Sequence, residues 1–149
     1  AKSVLFSNYD DTVISIVDGV VTGLSEGYTF VDVSQDGFWC QILVYVYKED
    51  VIFDDPNKKI IDFVPMKKKY TPSLSGKEVK QIRGMAVYSD CSRKEICEAI
   101  DGVVYKNLNP EIITINENGM VYPTGIIGLA KVIVMCGDKS FEVEVEIKE

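Results

Sequence analysis

Apolar and polar residues alternate in short runs along most of this chain. The clearest run is the C-terminal FEVEVEIK, which sets Phe141, Val143, Val145 and Ile147 on one side and Glu142, Glu144, Glu146 and Lys148 on the other. A period of two is the mark of a strand with one face buried and the other in water. Similar runs rich in Val, Ile, Phe and Tyr predict strands over residues 4–6, 13–17, 28–33, 40–47, 60–64, 79–88, 102–105, 112–115, 119–122, 130–135 and 141–147. Gly, Asp, Asn or Pro lies between most of them, and short strands punctuated in this way predict an all-β sandwich or barrel. One stretch, SRKEICEAI at 92–100, predicts a short helix, with Ile96 and Ile100 four residues apart.

The run at 39–47 departs from clean alternation. Cys40, Ile42, Val44 and Val46 form the expected inward set, yet the opposite face carries Trp39, Gln41, Leu43, Tyr45 and Tyr47. A strand apolar on both faces needs cover on both. Trp39, Leu43, Tyr45 and Tyr47 are therefore the candidate binding face, because Trp and Tyr carry much of the energy of protein interfaces. The plainer reading, weighed ahead of it, buries that face against the rest of the chain, either a second unit or residues 49–59.

The patterning also recurs. Residues 8–48, NYDDTVISIVDGVVTGLSEGYTFVDVSQDGFWCQILVYVYK, can be set above residues 109–148, NPEIITINENGMVYPTGIIGLAKVIVMCGDKSFEVEVEIK. Ile14 and Ile16 then match Ile113 and Ile115, Gly19 matches Gly119, and Gly27 matches Gly128. Val31 and Val33 match Val132 and Val134, and Cys40 to Val46 match Phe141 to Ile147, with only two single-residue gaps. This predicts two copies of one unit. Asp18-Gly19 and Asn118-Gly119 read as hairpin turns rather than phosphate cradles, since no helix follows either.

Composition narrows the chemistry. With 149 residues, 46% of them hydrophobic, the chain can build a core. No apolar run approaches the roughly 18 residues of a membrane span. Ala1-Lys2-Ser3 leads straight into patterned sequence without a signal-peptide pattern, and the chain reads as a mature or excised piece of a longer protein. Net charge is −7, distributed as −6 over residues 1–50, +3 over 51–80 and −4 over 81–149. An acidic surface of this kind argues against nucleic acid. Lys67-Lys68-Lys69 is the one basic cluster and reads as a solvated strand edge.

The chain has no histidine, which removes the commonest general base and the commonest zinc ligand. Cys40, Cys91, Cys97 and Cys136 fit no paired-CxxC metal pattern, and free thiols are favoured over a Cys91–Cys97 bridge. Asp10-Asp11, Glu49-Asp50 and Asp54-Asp55 read as solvated turns rather than calcium ligands, so no metal is expected. No serine, lysine or acidic pair stands out as a catalytic constellation, and no catalytic residue is expected.

The paired copies carry a family resemblance. DDTVISIVDGVVTGLSEGYTFVDV in the first and NPEIITINENGMVYPTGIIGLAKVIV in the second resemble the bacterial immunoglobulin-like domain, group 2, found also in intimin-like and invasin-like surface proteins. That family runs an Asn-Pro strand into a Gly-Val-Val-Thr turn and strand, then a Gly-x-Ala-x-Ile-x-Val strand. The resemblance covers residues 8–48 and, more loosely, about 62–148. It departs at SDCSRKEICEAIDG, where the family has a short loop, and at Val104 and Tyr105, where it has a tryptophan nearby.

The resemblance implies tandem immunoglobulin-like β-sandwiches, the first incomplete at its N-terminus. The expected organisation is the C-terminal part of a unit at 1–48, a linker at 49–61 and a complete unit at 62–149. It also implies a non-catalytic bacterial surface or secreted module, a spacer or adhesive domain of a larger protein, needing no cofactor. The expected partner is a protein or glycan at the cell surface, and the incomplete first unit needs completing by one of three sources: residues 49–59, the neighbouring unit, or a strand from another chain. The alternative is a carbohydrate-binding accessory module of a secreted glycan-degrading protein, stacking sugars on Trp39, Tyr45 and Tyr47.

Overall fold

The computed structural model describes residues 3–47, 51–75 and 78–149, and its regular elements are strands apart from one 3-10 turn at Ala99–Asp101. Two units separate, residues 1–51 and 52–149. The first contains β1 (Leu5–Ser7), β2 (Ile14–Val17), β3 (Val20–Gly23), β4 (Gly27–Gln35) and β5 (Phe38–Val46). Its sheet runs in the order β1-β4-β5, with β2-β3 as a separate hairpin. Two turns set this geometry. Asp18-Gly19 and Asp36-Gly37 each place both central residues at positive φ, the type I′ geometry that matches the twist of the flanking strands.

The second unit contains β6 (Ile60–Pro65), β7 (Lys69–Tyr70), β8 (Lys80–Gln81), β9 (Gly84–Tyr88), β10 (Arg93–Ile96), β11 (Val103–Asn107), β12 (Ile113–Ile115), β13 (Met120–Pro123), β14 (Gly128–Cys136) and β15 (Lys139–Ile147). One sheet is ordered β11-β14-β15-β7, a second β12-β13-β8 and a third β10-β9-β6. Their inner faces enclose one core that includes Phe63, Ile82, Ala86, Ile113, Val132 and Val143. The architecture is all-β: tandem immunoglobulin-like sandwiches, the first lacking counterparts of β6 to β10 among the described residues.

Some strand pairings are alike in the two units. Ile16 pairs with Val21 in the first unit, as Ile115 pairs with Val121 in the second. The first of the two alignment gaps sits in the turn between these pairs: a two-residue type I′ loop in the first unit, and a longer one in the second, in which the Gly119 amide donates to Asn116 O at 3.0 Å. Gly119 is at φ 76, and a Cβ there would meet Ile82 O at 2.6 Å, so the position needs glycine on two counts.

Three expectations change. The helix expected over 92–100 is instead β10, paired antiparallel with β9, followed by the 3-10 turn. Ile96 is buried and Ile100 is exposed, so the two share no face; pairing to β9 outweighed the local spacing. The linker expected through residue 61 gives its last two residues to β6. Before β6, the Ser89 amide donates to Lys59 O at 2.9 Å and the Lys59 amide donates to Ser89 Oγ at 3.1 Å, and Lys58 Nζ lies 3.2 Å from buried Asp90. The Glu49-Asp50 pair lies outside the described residues. Finally, the inward set of β5 is only half covered: Val44 and Val46 join the small core of Val13, Ile14 and Val31, whereas Cys40 and Ile42 are exposed. Neither packs into the first unit's core cluster.

Candidate functional site

The Asp36-Gly37 turn determines which side chains share a face. Its register pairs Gln35 with Phe38, Ser34 with Trp39, Asp32 with Gln41, Phe30 with Leu43 and Tyr28 with Tyr45. Directly opposed residues of an antiparallel pair project from the same face. One face of the β4–β5 hairpin therefore carries Trp39, Gln41, Leu43 and Tyr45 together with Ser34, Asp32, Phe30 and Tyr28. β1 extends it, since Leu5 lies opposite Ser34. All four residues expected from the sequence are on this face or directly beyond it.

They do not form one patch. Asp32 and Gln41 cross the middle of the face, with Gln41 Nε2 donating to Asp32 Oδ1 at 2.8 Å and Asn8 Nδ2 donating to Asp32 Oδ2 at 2.7 Å. These bonds, that from Asn8 foremost, hold the Asp32 carboxyl below its ordinary pKa, so it stays an acceptor at neutral pH. On one side of this polar bar stand Trp39 and the exposed Leu5. On the other stand Leu43, Tyr45 and Tyr47 beside Tyr28 and Phe30. Trp39 and Leu43 are four strand residues apart, roughly 13 Å.

Exposure also divides them. Trp39 is 64% exposed, against the expectation that this face is covered. Leu43, Tyr45 and Tyr47 are half-buried, and Phe30 is buried. The Tyr45 and Tyr47 rings lie 4.8 Å apart with planes inclined by 57°, and Tyr28 meets Phe30 edge-on at 6.1 Å. The sequence reading passed over Tyr28 and Phe30. The signal was present in Asp36-Gly37: a two-residue turn there sets Tyr28 against Tyr45 and Phe30 against Leu43.

The remaining candidates are turn formers. Asp10 Oδ1 accepts from the Thr12 amide at 2.9 Å, and Asp55 Oδ1 from the Asn57 amide at 2.8 Å. Among the described residues no group of three or more His, Cys, Asp or Glu is placed to hold a metal ion. None of the four cysteines is in a disulfide; Cys40 is exposed and Cys136 buried. Burial pushes the Cys91, Cys97 and Cys136 thiols up, which keeps them protonated. No helix of the described residues is long and apolar enough to cross a membrane.

No family model matches the chain, and no curated protein matches it either. Similar solved structures include the S-layer protein SbsC, residues 31–844, at a TM-score of 0.48 and 15% identity over 97% of this chain and 20% of that one. SbsC domains 4 and 5 align at 0.48 and 14% over 99% of this chain and 70% of that one. Human protocadherin-24 EC1-2 aligns at 0.36 and 12%, over 99% and 82%. The chain spans about a fifth of the first of these. The architecture described above stands on its own strand pairings.

Proposed function

We propose that this chain is a non-catalytic module of a bacterial surface or secreted protein, of the group 2 immunoglobulin-like kind. Its two units, copies of one plan, space the larger protein, and the first offers a contact at Trp39, with Leu43, Tyr45 and Tyr47 as a separate half-buried cluster beyond the polar bar on the same side of the strand. The observation that carries this reading is Trp39, a large indole left 64% exposed on a strand two residues from a tight turn. A rigid aromatic on a paired strand offers contact area at little entropic cost, and its indole N–H adds a directed donor. The inclination of Tyr45 to Tyr47 supports a protein partner over the alternative, a carbohydrate module, because sugar stacking favours a flat platform.

The test is adhesion of the chain to intact bacterial cells and to immobilised surface proteins. Trp39→Ala should weaken binding by about tenfold or more, the loss typical of an interface anchor. Glu142→Ala, on the solvent face of the second unit, should leave binding unchanged. Binding indifferent to Trp39, or binding only to soluble glycans, would overturn the reading.

A further inference from the structure

The second unit shows what the first one is missing. There, residues 60–97 cover the inner face of the β14–β15 hairpin. The Phe63 and Phe141 rings lie 4.9 Å apart. The Tyr105 hydroxyl reaches Cys97 O at 2.6 Å and Ile82 O at 3.0 Å. β8 pairs with β13, and β7 runs parallel along β15, setting Lys69 opposite Glu144 and Tyr70 opposite Val145. Val121 and Val143 are consequently 0% and 1% exposed.

In the first unit the matching positions are Cys40 for Phe141, Phe6 for Tyr105, Val21 for Val121, Ile42 for Val143, and Leu43-Val44 for Glu144-Val145. Cys40 is exposed, and Val21 and Ile42 are 44% and 43% exposed. Phe6 lines an open groove of about 540 Å³ with Val4, Leu5, Tyr9 and Ile16. Neither β3 nor β5 has a second strand neighbour among the described residues.

Charge points the same way. Residues 60–97 hold eight basic and four acidic side chains, net +4, and they cover a half, residues 98–149, of net −5. Residues 1–51 carry net −6. An acidic half under a basic cover is thus the arrangement of the second unit, and the first presents the acidic half alone.

We propose that the inner face of the first unit around Phe6, Val21, Cys40 and Ile42, with the open edge of β5 at Leu43-Val44, is a docking surface. Its occupant is a basic, strand-forming polypeptide segment patterned like residues 60–97 and supplied from outside these 149 residues. It adds a parallel strand to β5 and lays an apolar sheet over the exposed face. Cys40 is far smaller than Phe141, so the occupant places a bulky side chain above it. Phe6 lacks the hydroxyl of Tyr105, so the occupant presents no buried carbonyl there. A second copy of the chain is a poor source: lending its own residues 60–97 would uncover its Val121 and Val143 and exchange one bare face for another. This surface lies on the face opposite Trp39, and the inference does not depend on the adhesive contact.

The test uses the whole chain with a synthetic peptide of residues 60–97 as probe. Maleimide labelling of Cys40, resolved by peptide mapping from the other three cysteines, should slow about tenfold or more with peptide, and the Leu43 and Val44 amides should gain exchange protection. The slowing should weaken at high salt, where opposite charges are screened. A fusion that places residues 52–102 ahead of Ser3 repeats the test without reliance on the free peptide. Cys40 labelling at an unchanged rate in both formats would overturn the proposal. So would a dimer of the chain alone in which Cys40 is already protected, because the occupant would then be a second copy.

Discussion

Tyr105 and Phe6 hold the same place in the two units and differ by one oxygen. In the second unit that oxygen stands between the carbonyls of Ile82 and Cys97, and burial pushes the phenol well above its ordinary pKa, so it donates at every physiological pH. Tyr105→Phe should destabilise the second unit by about 1–3 kcal/mol, because the single hydroxyl proton shared between two inward carbonyls is lost. Urea unfolding of the variant checks this, with Phe6→Tyr expected to give the first unit no comparable gain. The sequence shows Tyr105 only as part of a strand. Its hydroxyl has a role because β8 and the residues after β10 converge on it, and those contacts span 23 and 8 residues of chain.

Among the strands, β7 is the one whose attachment depends most on charge. It is two residues long and sits at the edge of its sheet, where Lys69 Nζ lies 2.6 Å from Glu146 Oε2. Lys148 Nζ approaches the same oxygen at 3.0 Å. The bonds from Lys69 and then Lys148 hold the Glu146 carboxyl below its ordinary pKa. A depressed carboxyl contributes stability that is present above its unfolded pKa and is lost as pH falls through the folded value. Acidification from neutral pH through the glutamate range and below should therefore loosen β7 first, read as faster exchange of the Glu144 amide, which donates to Lys68 O at 2.9 Å. Glu146→Gln should flatten that pH dependence. The lysine run was legible as a strand edge from composition. Its parallel pairing to β15 was not, since that partner lies some seventy residues downstream.

The two units differ in how much core they own. The first buries Val13, Ile14 and Val31 as its central cluster; the second buries fifteen residues. Hydrophobic burial contributes about 25 cal/mol per Å², and stability margins are small, so cores this unequal should not melt together. Denaturant unfolding followed by hydrogen exchange is expected to show two stages, with the β4–β5 amides opening at lower denaturant than those of β14–β15. A single stage with equal protection in both hairpins would contradict it.

Period-two alternation and Asp-Gly turns are local signals, carried within about ten residues, and they mark most of the strands from 4–6 to 141–147; they passed over β3 and β7, and the run at 79–88, read as one strand, divides into β8 and β9 of different sheets. Local signals failed at SRKEICEAI, where a four-residue spacing suggested a helix and pairing to β9 made a strand. The candidate face shows the same division. Trp39, Leu43, Tyr45 and Tyr47 were legible as one side of one strand. That Asp32 and Gln41 cut the face in two depends on the hairpin register, and that Trp39, Cys40 and Ile42 stay exposed depends on which segments pack against β5. The side a residue takes is set by its neighbours along the strand, whereas its cover comes from segments distant in the chain, and only the folded arrangement brings those segments to it or leaves them out.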